Sequence, residues 1–98
     1  MYKCEISKTI WLDDQKRELY EVLVKNFLLP FPPFLGLNIS SGKFHSGDIT
    51  SISWDADNKI FSLMTRDEIP WTDDDGHLHT AEEIKTHYIK RENWEIML

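Results

Sequence analysis

Residues 13–30 read DDQKRELYEVLVKNFLLP, and whether they coil or extend decides the fold. Asp13 and Asp14 offer an N-cap and negative charge for a first helical turn, and Leu19, Tyr20, Leu23 and Phe27 recur at helical spacing. Pro30 disfavours helical geometry in the residue before it. These signals predict a helix from 13 to 29, with Lys16, Arg17, Glu18, Glu21 and Lys25 on its charged face.

On the N-terminal side, Tyr2, Cys4, Ile6 and Ile10 alternate with Lys3, Glu5, Ser7 and Thr9, the period of a half-buried strand, with Lys8 as the one break. On the C-terminal side, GLNISSGKFHSG (36–47) is largely loop, with short strand potential at Leu37 and Ile39. Residues 48–54 and 59–66 read as a β-hairpin around Asp55, Ala56, Asp57 and Asn58, residues that favour tight turns. Thr80 stands three residues before Glu83, a capping-box spacing, and opens a second helix, AEEIKTHYIKRE, with Ala81, Ile84 and Tyr88 on one face. WEIML (94–98) has the character of a last short strand.

The order is therefore β-α-(β)-β-β-α. It implies an α+β fold in which a small antiparallel or mixed sheet, the N-terminal strand plus the central β-hairpin, is packed by two helices. Ninety-eight residues with no linker are expected to form one globular domain, 1–98. Four Trp, three Tyr and five Phe supply its core with large side chains.

Seventeen acidic residues against eleven basic ones leave a net charge of −6, which argues against nucleic acid as a partner. The single cysteine, Cys4, fits a small buried apolar position in the first strand and a reducing compartment. MYKCEISKTIW (1–11) alternates instead of running apolar, which reads as neither a signal peptide nor a membrane span, so a cytoplasmic protein is expected.

Two stretches carry candidate chemistry. In PWTDDDGHLHTAEE (70–83), a calcium-loop alignment on Gly76 would put Trp71 at the first ligand position, which fails. For zinc, His77 and His79 would share one strand face, His87 could come from the following helix, and Asp75 or Glu83 lie nearby. No cysteine pair or helical His-Glu-x-x-His accompanies them, so turn and cap formation explain these residues better, and no metal or other cofactor is expected. In NFLLPFPPFLGL (26–37), prolines hold the chain extended, so Phe31, Pro32, Pro33, Phe34 and Leu35 cannot all face inward. They form a candidate partner-binding surface.

No G-x-G-x-x-G, Walker or G-x-S-x-G sequence is present, and catalysis is not expected. The leading expectation is a small acidic domain that binds a protein partner or forms a homo-oligomer. One rival is a metal-dependent hydrolase centred on His77, His79 and His87. A third reading is an acidic inhibitor imitating nucleic acid, although the carboxylates fall mostly at caps and turns.

Overall fold

In the computed structural model, which describes residues 1–97, the deciding stretch is extended. Strand β1 (Tyr2–Trp11) turns back through residues 12–18 into β2 (Leu19–Leu29), an eleven-residue antiparallel partner. Asp13 does accept backbone N–H groups, those of Gln15 (3.0 Å) and Arg17 (2.9 Å), but it organises a loop with Lys16 at φ +56° and not a helix. The physical reason lies in where the apolar residues fall. Val22, Leu23 and Val24, and again Phe27, Leu28 and Leu29, are consecutive; on a helix each trio would sweep roughly 200° and leave no polar face. In a strand the same trios divide between two faces, and the β-branched Val22 and Val24 suit that geometry.

The expected α+β fold of two helices on a small sheet is therefore wrong. About half of the chain (52%) is strand and only 12% helix, so the molecule is mainly β, with one helix among the described residues against a curled sheet. After β2 come β3 (Asn38–Ser41), β4 (Phe44–Asp55) and β5 (Ile60–Thr65). A two-residue pair, β6 (Trp71–Thr72) and β7 (Leu78–His79), precedes helix α1 (Ala81–Glu92), and β8 (Glu95–Ile96) follows it. The six-stranded sheet runs β3-β4-β5-β1-β2-β8, with β1 and β5 parallel and the other neighbours antiparallel. The first strand, the central hairpin and the capped C-terminal helix thus stand where the sequence placed them. Of WEIML, Glu95 and Ile96 pair with β2, while Leu98 lies outside the described residues.

Curling makes the core. β2 and β4 are separated by β5 and β1, which in a flat sheet would hold them about 14 Å apart. Yet the rings of Phe27 and Phe44 lie 5.0 Å apart, and Phe44 meets Trp94 at 4.9 Å. The inner face buries Cys4, Ile6 and Ile10 of β1, Leu23 of β2, Ile49 of β4 and Leu63 of β5. Ala81 and Ile84 of α1 and Trp94 cover it. Thr80 caps α1, its Oγ1 accepting from the Glu83 N–H at 3.2 Å, and Asn93 in a left-handed conformation (φ 58°) ends it and turns Trp94 inward. Among the described residues no helix is long and apolar enough to cross a membrane.

Candidate functional site

The strand break at Lys8 proves to be a buried cation. Lys8 sits on the inner face, 5% exposed, because β1 continues its alternation through that position. Its Nζ lies 3.7 Å from Glu68 and stands over the rings of Tyr88 (5.0 Å) and Trp94 (5.5 Å). Tyr88 donates its hydroxyl to the same Glu68 carboxylate. Burial lowers the Lys8 pKa from its ordinary value, and the neighbouring Glu68 and Glu92 oppose that shift. Burial likewise raises the Tyr88 pKa, with the bond to Glu68 adding to it. Lys8, Ser46, Thr65, Arg66, Glu68 and Tyr88 line a cleft of about 580 Å³. Within it the Lys8–Glu68 ion pair, with Tyr88 bonded to the same carboxylate, links β1, the segment after β5 and α1.

The second cluster grows from the DDDG turn. Asp73 N–H donates to His77 O (3.0 Å), and Gly76 N–H to Asp73 O (3.0 Å) with Gly76 at φ +81°, which closes the β6–β7 turn that the sequence predicts at Asp75-Gly76. The Asp73 carboxylate accepts the N–H groups of Asp75 (3.0 Å) and His77 (2.9 Å) through Oδ1, while Oδ2 meets His79 Nε2 at 3.0 Å. The His77 N–H first, and the His79 ring second, hold the Asp73 carboxyl below its usual pKa. Trp71 stacks on the His79 ring at 4.2 Å and 13°.

Across this hairpin stands Glu83, in the first turn of α1. The capping box forms only by half: Thr80 caps the Glu83 N–H, but the Glu83 carboxylate meets His77 Nε2 at 3.0 Å and His79 Nδ1 at 3.9 Å. His77, His79 and Glu83 thus each present one ligand atom within 4.8 Å of the others. The structure brings together two of the three histidines weighed as a metal set, and replaces the third. His87 pairs with Glu92 at 2.9 Å instead, and Asp75 contributes its backbone N–H to the turn. Glu68, Trp71, His79, Glu83, His87 and Tyr88 border a cleft of about 280 Å³ beside the cluster.

The Pro-rich candidates lie on the segment that leaves β2 beside the start of β1 and rejoins the sheet at Ile49, which accepts from the Gly36 N–H (2.9 Å) and donates to Leu37 O (2.9 Å). Phe31 (41% exposed), Phe34 (54%) and Leu35 (65%) project from the segment that leaves β2, and the two rings face each other at 6.2 Å. Pro32 is exposed and Pro33 half-buried. The end where β1 starts carries an aromatic row across β1, β5 and β4: Tyr2 to Phe61 at 6.1 Å and Phe61 to Trp54 at 4.6 Å, with Tyr2 and Trp54 exposed. No protein family, curated protein or solved structure matches the chain.

Proposed function

We propose that the protein is a binding module that associates with a second copy of itself through the segment bearing Phe31, Pro32, Pro33, Phe34 and Leu35. The supporting observation is the half-exposed Phe31–Phe34 pair on a proline-fixed segment. Large exposed aromatics held by prolines lose little conformational freedom on association, which favours them as interface anchors.

Charge selects the occupant. Residues 66–83 hold seven carboxylates against Arg66, a local −6 equal to the whole chain's net charge. That segment follows β5, which runs parallel to β1, so it lies at the end where β1 finishes, while Tyr2 and Phe31 lie where β1 starts. Ten residues of strand put about 30 Å between the two ends. A two-fold dimer centred on Phe31 and the Tyr2 end therefore keeps the acidic segments apart.

Sedimentation velocity from about 1 to 100 µM should show a monomer–dimer equilibrium for the wild type. Phe34→Ser should give a folded monomer by circular dichroism. A wild type that stays monomeric across the range, or a dimer that Phe34→Ser and Phe31→Ser leave intact, overturns the proposal. A complex formed only with a different protein does the same.

A further inference from the structure

We propose that His77, His79 and Glu83 bind one divalent transition-metal ion of the zinc type, with Asp73 orienting His79. This goes beyond self-association and uses a different segment of the chain. Two imidazoles and one carboxylate suit zinc and its neighbours, whereas magnesium and calcium prefer all-oxygen sets.

The geometry is close to what such an ion requires. Tetrahedral bonds of about 2.0–2.1 Å place ligand atoms about 3.4 Å apart. The observed separations bracket that value: 3.0 Å from His77 Nε2 to Glu83 Oε2, 3.9 Å from His79 Nδ1 to the same oxygen, and all three donors within 4.8 Å. Exposed side chains can make the remaining adjustment by rotation, and the backbone beneath them is already fixed. Thr80 anchors Glu83 at the start of α1, and the Asp73 turn anchors both histidines.

A second observation is independent of proximity. Asp73 Oδ2 can only accept, so in its 3.0 Å contact His79 Nε2 carries a proton, and Nδ1, 3.9 Å from Glu83, is the ring nitrogen left to face an ion. A carboxylate holding the far nitrogen of a ligating histidine is the usual second partner of a metal site. Here that carboxylate is itself locked by two backbone N–H bonds, and Trp71 stacks on the ring it orients. The six other carboxylates of residues 66–83 add a field that concentrates cations. Three protein donors leave one coordination position for water.

Isothermal titration of the full chain with zinc chloride in a non-chelating buffer tests the site. The wild type should take up one equivalent, and magnesium chloride should give no heat. His79→Ala should weaken zinc binding by more than tenfold, and Asp73→Asn by about 10- to 100-fold through the lost orientation. His87→Ala, outside the cluster, should leave the affinity within about twofold. Circular dichroism on each sample separates ligand loss from unfolding, and histidine ring shifts in NMR spectra locate the ion if a variant unfolds. No uptake by the wild type up to about 1 mM zinc, equal affinity in His79→Ala, or loss on His87→Ala overturns the site.

Discussion

Residues 13–29 and 80–92 carry the same written signals for a helix: an acidic or hydroxyl start, apolar residues at helical spacing, and cations among them. One is a strand and the other a helix. The helix buries Ala81 and Ile84, packs Tyr88 and Ile89 against the same core, and leaves its other eight residues polar. The strand has apolar residues on both faces, and β1 on one side and β8 on the other pair its backbone. Periodicity alone does not separate such cases. The presence of apolar residues between the periodic ones does, because a surface helix must keep a polar face.

The sharpest way to break this comparison is to truncate residues that a helix would treat alike. Leu19 and Leu23 both belong to the helical stripe, but in the strand Leu23 is fully buried and Leu19 is 54% exposed. Leu23→Ala should cost about 2–5 kcal/mol in urea unfolding, and Leu19→Ala less than about 0.5 kcal/mol. Equal losses would restore the helix.

Lys8, where β1 and α1 meet across the core, gives the next effect. Its folded pKa is lowered from 10.5, so the unfolded chain binds more protons just below that pH, and stability rises as pH climbs through that window. Tyr88 acts oppositely: its pKa is raised from 10.0, so its contribution is complete below that pH and is lost above it. Lys8→Met should abolish the alkaline rise and, because it leaves the partly buried Glu68 carboxylate without its cation, lower neutral-pH stability by up to about 3 kcal/mol. Chemical denaturation across alkaline pH measures both, and a variant that keeps the rise assigns it elsewhere.

The smallest effect concerns the two starts. Thr80→Ala should destabilise by about 1 kcal/mol, the usual value of an N-cap. Asp13→Ala removes bonds in an exposed loop only, and thermal melts should rank it below Thr80→Ala.

The legible parts were those set by local chemistry. Strand β1 showed in its alternation, the β4–β5 turn in Asp55, whose carboxylate accepts from Asp57 and Asn58, and α1 in Thr80. The β1–β2 pairing was not legible, because the edge that β1 offers is a tertiary demand that overrides the apparent period of residues 13–29. At the candidate site, His77 and His79 were visible as a pair. Glu83 was visible both as a cap residue and as a nearby ligand, whereas Asp73 was hidden behind the turn it builds. Lys8 did leave a signal, a cation at a core parity, and a break of that kind marks a buried charge whose partner, here Glu68, lies far along the chain.

The parallel seam between β1 and β5 also governs how the chain reaches this state. Each flanking hairpin joins near neighbours and can close on the scale of microseconds. The seam instead joins Cys4 to Phe61 and Ser7 to Met64, so the intervening chain must lose its loop entropy before any of those contacts forms. Refolding should therefore run at the pace of distant β pairing, milliseconds to seconds, with two quickly formed hairpins waiting for one slow encounter.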